Sequence, residues 1–329
     1  MTAEPLVDPH GRVVRDLRIS VTDRCNFRCA YCMPAEGMTW LPREEILTFE
    51  EIERVARVCV ERFGFTGIRL TGGEPTVRAH LPVLVEKLAA LGVDLSMTTN
   101  GASLALLAAD LRRAGLGRVN VSLDSLRPER FREITRRDVL AEVLDGIDAA
   151  LAAGFDPVKV NCVLMRGVND DEVLDFARFG RDKGVVVRFI EFMPLDAQRA
   201  WASDQVVTCD EIVATISAEF PLEPFDVRGV QPAERFRYLD GRGEVGVVPS
   251  VTRSFCSTCD RVRLTAEGQF RNCLFAVREA DLRSVLRGGG TDDDLAAAIE
   301  AEVGRKWAGH SIGQVTFVRP DRSMSQIGG

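Results

Sequence analysis

The sequence predicts an α/β fold: an incomplete TIM-type barrel of about six βα units, then a smaller C-terminal α+β domain. Three observations carry this. Short apolar or alternating runs recur at 17–21, 68–70, 95–98, 119–123, 158–165 and 185–192. Between them apolar residues repeat at three and four, clearest at Ile52, Val55, Cys59 and Phe63, and at Val139, Leu140, Val143, Leu144, Ile147 and Leu151. The residues that carry chemistry gather just after the runs, the end of a parallel barrel where active sites are built.

The short runs read as strands and the periodic segments as crossover helices, which makes the sheet parallel. A closed eight-stranded barrel takes about 250 residues, so six units before residue 194 leave the barrel open. Beyond about Pro194 the alternation stops, dividing the chain into 1–194 and 195–329. After the first run stand Cys25, Cys29 and Cys32, and after the second Thr71-Gly72-Gly73-Glu74-Pro75. Thr98-Thr99-Asn100-Gly101 follows the third, Ser122 and Asp124 close the fourth, and Met193-Pro194 follow the sixth. Each motif alone reads as a turn; their common placement argues for a ligand.

The spacing C-x-x-x-C-x-x-C provides three thiolates within eight residues, enough for three corners of a cubane iron-sulfur cluster with one iron left open. Zinc normally closes with four ligands, and no histidine lies nearer than His10. Packed core cysteines would not be interleaved with Asp23, Arg24, Asn26 and Arg28. A second triad, Cys256, Cys259 and Cys273, is again one short, with His310 as a conceivable fourth zinc ligand. Near it Arg261 and Arg263 stand two apart, which on a strand puts both guanidiniums on one face, suited to bidentate binding of phosphate or carboxylate. Cys59, Cys162 and Cys209 read as structural.

Composition bounds the rest. With 329 residues, 46% hydrophobic and 28% charged, the chain can build an ordinary core. The N-terminus has no apolar signal region and no long apolar stretch occurs, so the expected location is cytoplasmic, with no membrane. In a reducing compartment nine cysteines are ligands or buried thiols rather than disulfides. A net charge of -7 provides no basic field for nucleic acid, so an anionic ligand must be held by local arginines.

These motifs resemble the radical S-adenosylmethionine superfamily. With Tyr31 before the last cysteine, the second triad and the terminal Ile327-Gly328-Gly329, the whole chain resembles the GTP 3',8-cyclase family, lyase-type enzymes that begin molybdenum cofactor biosynthesis. The resemblance implies two [4Fe-4S] clusters, one per triad, the first binding S-adenosylmethionine. It implies S-adenosylmethionine contacts at Tyr31, Gly73, Glu74, Ser122 and Met193, with Glu74 near the amino group. It implies GTP contacts at Arg18, Arg69, Thr98, Lys159, Arg261, Val262 and Arg263, with Arg261, Arg263, Gly328 and Gly329 catalytic. Implied partners are a reductant such as flavodoxin or ferredoxin, a cyclic pyranopterin monophosphate synthase acting next, and a homodimeric copy. A peptide-modifying maturase of the same superfamily and a non-enzymatic electron carrier are the rival readings.

Overall fold

The computed structural model describes residues 3–196, 199–225 and 229–328. All six expected strands form: β1 (Asp16–Ser20), β2 (Gly67–Thr71), β3 (Asp94–Thr99), β4 (Arg118–Ser122), β5 (Val158–Leu164) and β6 (Val186–Glu191). They lie side by side in chain order, every pair parallel. The crossovers are α1 (Phe49–Phe63), α2 (Leu81–Ala89), α3 (Leu104–Arg113), α4 (Pro128–Thr135) with α5 (Leu140–Ala152), and α6 (Val173–Lys183). Helix α1 starts at a capping box, in which the Thr48 hydroxyl accepts from Glu51 N while the Glu51 carboxylate accepts from Thr48 N. Its periodic residues Ile52, Val55, Cys59 and Phe63 are all buried, and α5 likewise buries Leu140, Val143 and Ile147.

The second half does not stand apart from this sheet. After α7 (Cys209–Ser217) come β7 (Leu222–Pro224), β8 (Glu234–Tyr238) and β9 (Glu244–Val248), and β9 docks parallel to β6. Next follow β10 (Arg261–Leu264), β11 (Gln269–Arg271) and β12 (Ala280–Asp281), and β10 docks parallel to β1. Helices α8 (Leu282–Arg287), α9 (Asp292–Val303) and α10 (Met324–Ile327) complete the chain. The result is one twelve-stranded sheet, ordered β12-β11-β10-β1-β2-β3-β4-β5-β6-β9-β8-β7. The sheet therefore continues past residue 194, and both edges of the six-stranded half are covered by strands from beyond it.

Side chains alternate across this sheet as strand geometry requires. Leu17, Ile19, Ile68, Leu70, Val119, Val121, Val160, Val187 and Val262 pack outward into one continuous core under the helices. Arg18, Arg69, Thr98, Asn161, Arg188, Arg261 and Arg263 point the other way, into the concave face. Cys59, Cys162 and Cys209 are buried in that core, in agreement with a packing role. No described helix is long and apolar enough to cross a membrane.

Candidate active site

The loop after β1 carries the first triad and is fastened on three sides. On one side Gly73 N donates to Thr22 O at 2.9 Å and Glu74 N to Arg24 O at 2.8 Å, carrying the β1–β2 pairing into the loops. Only glycine allows this approach. A Cβ on Gly73 would lie 2.2 Å from Arg24 O, and one on Gly72, whose φ is +135°, 2.5 Å from Thr22 O. On the second side Arg28 N and Ala30 N donate to the carbonyls of Thr135 and Ile134 at the end of α4. On the third, the Tyr31 hydroxyl donates to Asp124 Oδ2 at 2.7 Å, and Asn100 Nδ2 donates to Asn26 Oδ1 at 2.7 Å.

Glu74 is fully buried and knits two strand ends together. Its Oε1 accepts from Thr76 N, Thr76 Oγ1 and Thr99 Oγ1 at 3.0, 2.6 and 2.6 Å, and its Oε2 from Asn100 N at 2.6 Å. A carboxylate oxygen accepts about two bonds in its plane, so one site on Oε2 is left for a donor such as an amino group. Burial raises the Glu74 pKa despite these donors. Burial likewise raises Asp124 to about 6, with Tyr31 and Val163 N opposing it.

Cys25, Cys29 and Cys32 are free and partly buried. Burial raises the thiol of Cys25 to about 11 and of Cys32 to about 12, and that of Cys29 well above its usual value. Their deprotonation therefore needs a compensating positive centre, as metal ligation provides. In the second triad burial also raises Cys273. For Cys259 the same effect is outweighed by Arg261 and Lys306, and its pKa falls. Backbone amides donate to sulfur in both triads, Phe27 N to Cys25 Sγ at 3.3 Å and Phe275 N to Cys273 Sγ at 3.4 Å. Among the described residues no three His, Cys, Asp or Glu side chains converge on one ion. Free thiols with amide donors fit an iron-sulfur cluster in each triad.

Arg18, Arg69, Arg188, Arg261 and Arg263 line a single cavity together with Cys256, Cys259 and Cys273. None of the five has a carboxylate within hydrogen-bonding distance among the described residues. The nearest are Asp16 Oδ1, 3.7 Å from Arg18 Nε, and Asp260 Oδ1, 4.0 Å from Arg261 Nε. Arg18 Nε and Arg261 Nε and Nη2 are buried with no hydrogen-bond partner. Burial, followed by repulsion from Arg69 and opposed by Asp16, lowers Arg18 to about 9. Burial and like-charged neighbours lower Arg69 and Arg188 to about 10, and Arg263 well below its usual value. Asp16 and Asp260 offset these buried, mutually repelling cations only in part, and a polyanion would supply the rest.

Other expected positions fall in different places. Thr98 and Met193 line the cavity. Ser122 pairs in register with Asn161 on the next strand. Lys159 lies on the same face of β5 as Asn161, partly buried but outside the cavity lining. The Val262 side chain is fully buried in the outer core, on the opposite side of β10 from Arg261 and Arg263. Gly328, with φ +69°, enters the site, its carbonyl accepting from Arg263 Nη1. Gly329 lies outside the described residues.

Sequence reading missed Arg188, whose Nη2 donates to Asn161 Oδ1 at 2.7 Å and Asn120 Oδ1 at 3.1 Å. The signal was one arginine inside the apolar run of β6. It also missed Glu191, which is fully buried. Its carboxylate accepts from Val251 N, Thr252 N and Thr252 Oγ1 at 2.8, 2.8 and 2.5 Å, anchoring the loop that leads to Cys256.

A partial barrel with three free thiols in its first loop is the build of a radical S-adenosylmethionine enzyme. The family profile described as Radical SAM superfamily matches residues 19–180, and that of Molybdenum Cofactor Synthesis C residues 185–312. The GTP 3',8-cyclase of Streptomyces coelicolor is 49% identical over 331 residues, covering 99% of this chain and 97% of that one. GTP 3',8-cyclase 2 of Mycobacterium tuberculosis is also 49% identical, covering 100% and 93%. Streptococcus suis SuiB bound to S-adenosylmethionine shares the fold alone, with a TM-score of 0.57 at 13% identity over 88% of this chain and 69% of that one. The chain belongs to the GTP 3',8-cyclase family.

Proposed function

We propose that this chain converts GTP to (8S)-3',8-cyclo-7,8-dihydroguanosine 5'-triphosphate, the first step of molybdenum cofactor biosynthesis, as an enzyme of lyase type. The observation that carries the reading is the cavity lined by five guanidiniums, none hydrogen-bonded to a carboxylate among the described residues, beside the cysteine triad of Cys256, Cys259 and Cys273. A triphosphate supplies the missing negative charge.

Cys25, Cys29 and Cys32 would hold one [4Fe-4S] cluster, and Cys256, Cys259 and Cys273 a second. With S-adenosylmethionine bound and one electron from the reductant, the first would supply the radical chemistry for hydrogen abstraction at the ribose 3' position, with methionine released. The protein's own residues bind, orient and shield. Gly73 offers main chain without steric bulk, Glu74 one acceptor site, and Tyr31, Ser122 and Met193 the remaining S-adenosylmethionine contacts. Arg18, Arg69, Lys159 and Thr98 receive the phosphates, with planar guanidiniums suited to bidentate pairing. Arg261, Arg263 and the main chain of Val262 lie nearest the base, where the two arginines offset charge on the cyclising intermediate. Gly328 meets Arg263 at the site, with Gly329 proposed to act beside it, and Ile190, Val248, Phe275 and Met324 form an apolar wall that excludes water.

The proposed division at residue 194 gives 1–194 the radical chemistry and the phosphate contacts, and 195–329 the second cysteine triad and the contacts nearest the base. A cytoplasmic flavodoxin or ferredoxin is the proposed reductant, a cyclic pyranopterin monophosphate synthase takes the product, and a homodimer is the proposed assembly. The test is an anaerobic assay with dithionite, S-adenosylmethionine and GTP deuterated at the ribose 3' position. Deuterium in 5'-deoxyadenosine, with a cyclic nucleotide product, supports the reading. Label-free 5'-deoxyadenosine without nucleotide product overturns GTP as substrate, and no 5'-deoxyadenosine at all overturns the enzyme.

A further inference from the structure

The Arg12 side chain is directed at main-chain carbonyls 244 to 296 residues away. Its Nη1 donates to Cys256 O at 2.6 Å and Ala308 O at 2.8 Å, and its Nη2 to Trp307 O at 2.5 Å. The remaining Nε is held by Asp8 Oδ2 at 2.5 Å. Asp8 is fixed in turn, its Oδ1 accepting from His10 N and Arg12 N at 2.9 and 3.0 Å. Both side chains are buried. One planar fork thus joins the N-terminal segment, the loop of Cys256 and the strand-free stretch around Trp307.

That stretch is braced at a second point. Buried Lys306 donates to Arg261 O at 2.7 Å, tying it to the start of β10. The spacing is close: a Cβ on Gly309 would lie 3.0 Å from Cys256 Cβ. The next residue, His310, lines the cavity with Cys256, Cys259 and Cys273. Cys256 begins a single turn, Cys256–Thr258, within a loop that has no ladder to hold it. Besides the local bond from Cys259 N at 3.2 Å, the Cys256 carbonyl is held by the Arg12 fork, which ties this turn to a distant segment.

We propose that Arg12, oriented by Asp8, is a positioning residue for the second iron-sulfur site, setting where Cys256 stands relative to β10 and His310. The inference rests on the reading that Cys256, Cys259 and Cys273 hold a cluster. Lysine cannot replace the fork, since one ammonium nitrogen does not span three carbonyls and a carboxylate.

The test uses the full chain with Cys25, Cys29 and Cys32 changed to serine, so that only the second triad can bind iron. In this parent about four irons per chain are expected. Arg12→Lys and Arg12→Gln should each lose at least half of that iron or change the EPR spectrum of the reduced cluster. In the complementary background, with Cys256, Cys259 and Cys273 changed to serine, the same substitutions should leave iron content and spectrum unchanged. If Arg12→Gln fails to fold by circular dichroism, Arg12→Lys decides. Folded Arg12 variants with the parent's iron and spectrum overturn the proposal, as does equal loss in both backgrounds, which marks a general packing role. A parent that binds no iron overturns the second-cluster reading itself and this inference with it.

Discussion

Replacing Gly328 with alanine gives a sharp test of how the C-terminal tail meets the site. Gly328 has φ +69°, and a left-handed L-residue costs roughly 1–2 kcal/mol. That conformational penalty alone is about a 5- to 30-fold effect. The added Cβ would also lie 2.3 Å from Thr71 Oγ1 and 2.6 Å from Ser20 Oγ. Those atoms sit at the ends of β2 and β1, and Thr71 Oγ1 is held there by its bond to Ile19 O at 3.3 Å. The tail must therefore back out, removing the Gly328 carbonyl from Arg263. We expect Gly328→Ala to lower kcat/KM for GTP by at least about tenfold, with iron content and both cluster spectra unchanged. Adding Ser20→Ala and Thr71→Ala should recover the part due to contact and leave the conformational part. Turnover equal to the unaltered enzyme would refute the reasoning, and so would loss of iron from either triad.

Three further outcomes are expected. Lys159 is lowered to about 8 by burial and then by Arg188, Arg118 and Arg69, so between about pH 8 and 10.5 the unfolded chain binds more protons. Stability should rise with pH across that window and be level below it, and Lys159→Met should flatten the rise in urea titrations. Val262→Ala, which removes two buried methyl carbons, should cost about 2 kcal/mol of stability while leaving KM for GTP unchanged; a raised KM would return its side chain to the site. Glu74→Gln places an amide among four donors and should destabilise by about 2–3 kcal/mol in denaturant melts; an unchanged midpoint would show those bonds to be dispensable.

The strands were legible because their period of two and their spacing survive any context, and α1 and α5 because their apolar stripes coincide with the buried faces. Arg18, Arg69, Arg261 and Arg263 could be singled out because a cation inside an apolar strand needs a reason. Alternation would also have placed Val262 on the opposite face from its neighbours, as the structure does. Arg188 needed the sheet register, since only there does it meet Asn120 and Asn161. The return of β9 and β10 to parallel pairing was not legible, because their partners lie more than 50 residues away from β9 and about 245 from β10. Glu74 could be singled out by its place after β2, but its four local donors needed the structure.

The enclosure of β1 by β10 and of β6 by β9 bears on how the protein is made. As the chain leaves the ribosome, the first six strands emerge with both flanks bare, and naked strand flanks invite pairing with other chains. The partner of β1 arrives only when residues 261–264 have been synthesised, and pairings so remote in sequence form slowly. The nascent radical-generating half is thus incomplete for most of translation. A fragment ending near residue 194 should aggregate rather than load iron, and destabilising changes in β10 should lower soluble yield before they alter any step of turnover.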